Sequence, residues 1–175
     1  MNVPDGEHKT PAFMAKNPGA AVPVLELDDG TCIAECTAIT EYLDNLSGKP
    51  TLTGSTAKDR AMIHMMQRRA EAGLLDAAAA FFHHATPGLG PKIETYQNKE
   101  WGEKNRERAQ SGMRYLDGVL AERPFLAGDG FSMADITAYA GLIFADIGKI
   151  DIPPELKHLL AWRARVADRP SVKAA

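Results

Sequence analysis

The chain has 175 residues, 45% of them hydrophobic, and a formal net charge of −3 at neutral pH. That length buries an ordinary core and holds one or two small domains. The acidic balance argues against nucleic-acid binding, and no apolar run approaches the roughly 20 residues of a membrane-spanning helix. The start of the chain is polar, with Pro4, Asp5 and Gly6, and does not read as a signal peptide. Cys32 and Cys36 lack Cys-x-x-Cys spacing, so both are expected to be reduced thiols of a cytoplasmic protein.

In chain order, Met1 to Val3 reads as the tail of a strand and Pro4-Asp5-Gly6 as a turn. Thr10 is placed to cap a short helix with Pro11 at its first position, running to about Lys16. Asn17-Pro18 ends it. Val22 to Leu27 is a β-prone run, and Asp29-Gly30 predicts a type I′ hairpin turn before a returning strand at Thr31 to Ala34. From Cys36 the apolar period changes from 2 to 3.6. Ile39, Tyr42, Leu43 and Leu46 then share one helix face, and Gly48 and Pro50 stop the helix. Glu35-Cys36 therefore sits at a hairpin-to-helix junction.

Lys49 to Thr56 is rich in Gly, Pro, Ser and Thr and reads as a linker between residues 1–48 and an all-helical domain at 57–175. A long helix is predicted from Ala57 to about His84. Its Met62, Met65 and Met66 read as adaptable core or dimer packing, and Arg68, Arg69 and Glu71 as a solvated face or a dimer contact. It ends in Phe81-Phe82-His83-His84. Adjacent histidines on a helix point about 100° apart, which suits one metal poorly. No Cys, Asp or Glu stands at partner spacing, so no metal is expected.

A Pro/Gly loop spans Thr86 to Pro91, and the next helix runs from Tyr96 or Trp101 to about Glu122. Ser132 and Asp135 then give a capping box, with Phe131 and Ile136 as its hydrophobic staple, so both polar residues are assigned a structural role. Gly148 is expected to end that helix. Pro153-Pro154-Glu155 opens the last one, which carries Leu156, Leu159, Leu160, Trp162 and Val166.

Three features meet at the junction. Pro23 removes a backbone donor at a strand edge, and a cis bond there turns the Val22 backbone outward to pair with an extended ligand. The helix beginning at Cys36 offers free N–H groups and a positive dipole end to a carboxylate. Glu35 offers a carboxylate to an ammonium group. Each has a plainer reading: Val22-Pro23 as an ordinary edge strand or turn, Glu35 as a solvated residue beside a helix cap.

Their order resembles the glutathione transferase family. The motifs are Asn17-Pro18, Val22-Pro23-Val24-Leu25, Asp29-Gly30, Glu35-Cys36, Ala38-Ile39 and Tyr42-Leu43. The Ser132-Met133-Ala134-Asp135 segment and the closing Arg169-Pro170-Ser171-Val172 continue the likeness almost to the last residue. The resemblance is to bacterial theta/beta-like members. It implies an α+β fold: a thioredoxin-like N-terminal domain, here lacking the family's first strand-helix-strand, followed by an all-α bundle.

The resemblance implies glutathione as co-substrate, with no metal, held by Val22, Pro23, Glu35 and Cys36. His8, in Gly6-Glu7-His8-Lys9, matches a histidine that helps hold the glycine end of glutathione, and otherwise reads as a solvated loop residue. Phe81 and His84 fit the wall of a hydrophobic substrate pocket. Ala20 and Ala21 stand where many relatives have His or Lys, Cys36 replaces Ser, and Thr37 sits where some carry Arg. The family's catalytic Tyr, Ser or Cys follows the first strand, so no catalytic residue is assigned on this chain.

The implied activity is conjugation of the glutathione thiol to small electrophiles, a detoxification reaction, once that first segment is supplied. Two alternatives stand beside it: a non-catalytic glutathione-binding or structural protein of the same fold, and a thiol-disulfide exchanging relative acting through Cys36. At a helix start a thiol is stabilised as thiolate, but Glu35 opposes this. Cys36 is thus expected to be modestly reactive or a plain substitute for Ser. An uncovered sheet edge favours pairing with another chain, so a homodimer is expected, without nucleic-acid or membrane partners.

Overall fold

The computed structural model describes residues 1–3 and 5–174. The chain divides into two compact units, Met1–Thr53 and Gly54–Ala175.

Unit 1 opens on a turn. The expected strand tail at Met1 to Val3 is absent, because no partner strand meets it among the described residues. Its backbone is satisfied locally, by Gly6 N–H on the Val3 carbonyl (3.0 Å) and Glu7 N–H on that of Asn2 (3.2 Å). Pro4, part of the turn expected there, lies outside the described residues. A 3-10 turn at Glu7–Lys9 leads into α1 (Pro11–Met14), where the Thr10 hydroxyl accepts the Phe13 N–H.

β1 (Val24–Glu26) and β2 (Cys32–Ala34) form an antiparallel pair with Leu25 opposite Ile33. The turn between them is not type I′, which needs two residues at positive φ. Only Gly30 adopts it, at 84°. Asp29 Oδ1 instead accepts the Thr31 N–H (2.9 Å), and Gly30 N–H closes onto the Leu27 carbonyl (2.9 Å). The result is a three-residue loop with glycine at its left-handed position.

α2 (Cys36–Asn45) follows directly. Ile39 and Tyr42 are half-buried, but Leu43 and Leu46 are 50% and 63% exposed, so much of the expected apolar face is uncovered. Among the described residues of unit 1 only Asn17 and Thr53 are buried, and both are polar. Two short strands, α1 and α2 leave this unit without an apolar core of its own among the described residues.

The segment after α2 is held by one carboxylate. Asp44 accepts bonds from the backbone N–H groups of Thr51 (2.9 Å), Leu52 (2.9 Å) and Thr53 (2.8 Å), and from the hydroxyls of Thr51 and Thr53. Partial burial pushes its pKa up, but these donors outweigh it and lower it to about 2.

Unit 2 begins with α3 (Ala57–Ala70), started by a reciprocal capping box between Thr56 and Asp59. The long helix expected from 57 to 84 is interrupted. A π turn at Glu71–Leu75 separates α3 from α4 (Asp76–Ala85). The interruption lies where backbones touch: a Cβ on Gly112 of α5 (Lys99–Leu120) would stand 2.4 Å from the Gly73 carbonyl oxygen. Gly102 makes the same kind of approach to Ala85, where a Cβ would lie 2.6 Å from the alanine methyl. Asn98, rather than a residue at 96 or 101, starts α5 by accepting the Trp101 N–H (3.0 Å).

α6 (Met133–Ile147) supplies the centre of the core, with Ala134, Ala138, Leu142 and Ala145 fully buried. It ends at Gly148, as expected; Gly148 keeps a helical φ of −75°, and Lys149 takes the left-handed position at 59°. Lys149 and Ile150 N–H groups then close on the carbonyls of Asp146 and Ala145, and Ile150 is buried as the hydrophobic partner. α7 (Lys157–Ala167) starts later than Pro153, because Pro153 to Leu156 forms a turn. Its early N–H at Leu159 is taken by Asp117 of α5 (2.9 Å). α8 (Pro170–Lys173) ends the described chain.

Asp135 ties these elements together. Its fully buried carboxylate accepts from Leu126 N–H, Ser132 N–H, the Ser132 hydroxyl and Trp162 Nε1–H, each at 3.0 Å. Burial raises its pKa above the ordinary value, and those same donors oppose the rise. The staple is different: Phe131 packs edge-on to Phe125 (5.8 Å) and under the Arg169 guanidinium (3.7 Å), while Ile136 is 42% exposed.

Two outcomes follow from these carboxylates. Asp135→Asn turns an amide donor toward a ring of donors and is expected to cost about 3 kcal/mol in urea unfolding; a loss under about 0.5 kcal/mol would remove Asp135 from its central place. Asp44 has a depressed native pKa, so its contribution is complete above the unfolded value near 3.9 and is lost as pH falls toward 2. Asp44→Asn should therefore narrow the stability gap between pH 5 and pH 2, measured by acid titration of unfolding; an unchanged acid limb contradicts this.

Candidate functional site

In unit 1 the strand register gathers the candidate residues. Val24 pairs with Ala34. β1 begins just after Pro23 and β2 ends just before Glu35, so this pair brings Val22-Pro23 and Glu35-Cys36 to the same end of the hairpin. The Val22-Pro23 bond is cis, and Val22 is 48% exposed. Asn17 holds the approach to this point. Its side-chain amide donates to the Ala21 carbonyl (2.8 Å) and its oxygen accepts from Gly19 N–H (3.0 Å). Lys16 pairs with Glu26, tying the loop's start to β1.

Glu35 is exposed and sits at φ 71°, ψ 123°, a conformation that side chains rarely adopt. Its carbonyl accepts the first α2 bond, from Ile39 N–H (2.9 Å), while its carboxylate makes no hydrogen bond among the described residues. Cys36 is exposed with a free thiol, at the helix start; Cys32 is half-buried and also free. The junction thus combines an exposed strand end, the start of a helix and a carboxylate without a hydrogen bond among the described residues. It can receive a zwitterionic amino-acid head and pair with an extended backbone. His8 lies in the 3-10 turn, half-buried, with its Nδ1 buried and without a partner among the described residues.

In unit 2 the candidates are on α4. Phe81 does not face outward. It is 7% exposed in the core cluster, with Arg106 5.8 Å from its ring centroid. The half-buried face one step around the helix belongs to Phe82, which meets His83 (5.1 Å) and Phe144 (5.6 Å) edge-on. His84 is half-buried, accepts the Asn98 N–H on Nδ1 (3.1 Å) and has Tyr96 across its ring at 6.2 Å.

His83 has a partner that local spacing does not show. Glu94 Oε1 lies 2.7 Å from His83 Nδ1 and also accepts Leu89 N–H (2.9 Å). The Leu89 bond and the His83 bond hold the Glu94 carboxyl below the usual range despite burial. Gly88 allows this approach, since a Cβ there would stand 2.3 Å from the same oxygen. Gln97 adds two bonds, to the carbonyls of His83 and Thr86 (2.7 Å each).

A separate groove of about 550 Å³ is lined by Arg69, Ala72, Gly73, Arg108, Gly112 and Tyr115. Arg69 donates to the Tyr115 hydroxyl (2.7 Å), and Arg68 pairs with Glu71 (2.9 Å). Among the described residues no three His, Cys, Asp or Glu side chains gather as a metal site, and no helix is long and apolar enough to cross a membrane.

Comparison with known proteins converges on one family. The glutathione S-transferase N-terminal domain profile matches residues 2–46, and the C-terminal domain profile matches residues 74–170. Glutathione S-transferase 2 of Saccharomyces cerevisiae is 62% identical over 173 residues, which is 99% of this chain and 74% of that protein. The crystal structure of Gtt2 from Saccharomyces cerevisiae superposes with a TM-score of 0.96 at 61% identity, covering 99% of this chain and 84% of the other. A glutathione S-transferase domain-containing protein of Marinobacter aquaeolei matches at 64% identity and TM-score 0.95, over 98% of this chain and 84% of its own. With its thioredoxin-like hairpin and its helical second unit, the chain belongs to the glutathione S-transferase family.

Proposed function

We propose that unit 1 binds glutathione, with the Val22 backbone pairing to its cysteinyl part and Glu35 and Cys36 receiving the γ-glutamyl head. The observation that carries this is the hairpin register, which brings the Val22-Pro23 strand end and the start of α2 to the same end of the hairpin. The Glu35 carboxylate accepts the ammonium, and the Cys36 N–H faces the carboxylate. Pro23 shapes the strand end. His8 is assigned to the glycine end, which gives its buried Nδ1 a partner.

The reaction is attack by the glutathione sulfur on a small electrophile, in a cytoplasmic, detoxifying role. A thiol with a pKa near 8.5 is mostly protonated at neutral pH and needs a donor or dipole to ionise. No residue of this chain is assigned to that step. The electrophile is assigned to the end of α4 in unit 2. His84 keeps its place in that wall, and Phe82 takes the outward position expected of Phe81.

The chain is proposed to act as a homodimer. Support comes from the absence of buried apolar residues among the described residues of unit 1 and from the groove lined by Gly73 and Gly112. Sedimentation velocity at micromolar concentration should show a dimer; a compact monomer across that range counts against it.

Calorimetry with reduced glutathione tests the site. Glu35→Ala removes a charge-assisted bond and should weaken binding by about 10- to 100-fold. Glu35→Gly should weaken it as much while raising stability by about 1 kcal/mol, because glycine adopts φ 71° without strain. Wild-type affinity in either variant would take Glu35 out of the site.

A further inference from the structure

The ring cluster of Phe82 and His83 at the end of α4 and Phe144 of α6 carries one polar atom that no other described group uses. Phe82, His83 and Phe144 are mutual neighbours, with centroids 5.1, 5.6 and 6.5 Å apart, and all three are half-buried. The Glu94 side chain is only 9% exposed and ionised well into the acid range, so it can only accept. His83 must therefore carry its proton on Nδ1. In the neutral ring this leaves Nε2 as a lone-pair acceptor. That atom makes no hydrogen bond among the described residues and is not one of the buried unpartnered atoms. The loop that brings Glu94 here is itself pinned, by Gln97 on the α4 carbonyls and by Leu89 N–H on Glu94.

We propose that Glu94 is a positioning residue that fixes His83 with Nε2 as an open acceptor, making the Phe82–His83–Phe144 cluster a subsite for flat aromatic compounds bearing a hydroxyl or N–H donor. This rests on the assignment of the α4 end to the electrophile. The rings provide apolar and edge-on contact, and Nε2 selects ligands that can donate. A ligand of the same shape without a donor leaves Nε2 to water and binds less well. Glu94 touches no ligand and acts only through the imidazole.

The test uses the whole chain without glutathione, at about pH 8. Proton–nitrogen NMR of His83 should show the Nδ1–H tautomer in wild type and in Glu94→Gln, whose amide oxygen still accepts, and its loss in Glu94→Ala. In titrations, 1-naphthol should bind about 3- to 10-fold more tightly than 1-methoxynaphthalene. His83→Phe should keep the ring contacts and abolish that preference. An Nε2–H tautomer in wild type, equal affinities, no measurable binding of either compound, or a preference that survives His83→Phe would each overturn the proposal. The wild-type measurements decide it even where a variant folds poorly. Glutathione calorimetry on the same sample keeps the two readings apart: intact glutathione binding with no naphthol preference sinks only this inference, and the reverse sinks the glutathione site proposed for unit 1.

Discussion

The pairing of Val24 with Ala34 is the constraint on which the candidate glutathione site depends. A strand slipped by one residue turns every side chain to the opposite face and shifts the Val22 end of β1 against the Glu35 end of β2. Several features guard that register. Gly30 closes a loop of fixed length, Asp29 secures the returning strand, and Asn17 shapes the chain ahead of Pro23. Glu35 carries the cost. It holds a left-handed backbone between β2 and α2 although it is not glycine, a strain that the proposed contact with the ligand ammonium would account for.

Unit 2 relies on different physics. Its helices approach closely enough for backbone to meet backbone at Gly73 and Gly112, and the helix yields there by widening into a π turn. Around this packing, two carboxylates satisfy N–H groups that would otherwise be orphaned in the core. Asp135 serves the Leu126 loop, the α6 start and Trp162, and Asp117 serves the first turn of α7. A firm scaffold of this kind lets the α4 end present aromatic rings and a histidine in set directions.

What could be seen in the sequence was what short-range chemistry fixes. The hairpin, α2 and the Ser132–Asp135 cap all come from signals within a few residues, and the structure contains them. The turn type was missed because an Asp side chain bonding forward to Thr31 competes with a left-handed Asp. The late start of α7 was missed because its N–H partner, Asp117, lies 42 residues away. Phe81 was read as outward because Ala77 to His84 is apolar around most of its circumference and gives no face. Glu94, 11 residues beyond His83 across a loop, has no local signature either; Gly88 is its one trace in the sequence, and only the fold explains that glycine.

The central claim is that the junction of β2 and α2 receives glutathione. The most direct measurement is an amide-resolved NMR titration of the whole chain with reduced glutathione. The account predicts that the largest shifts fall on Val22, Glu35, Cys36 and Thr37, with smaller ones on the Glu7–Lys9 turn. Saturable shifts confined to unit 2, or no shifts at millimolar glutathione, would contradict it.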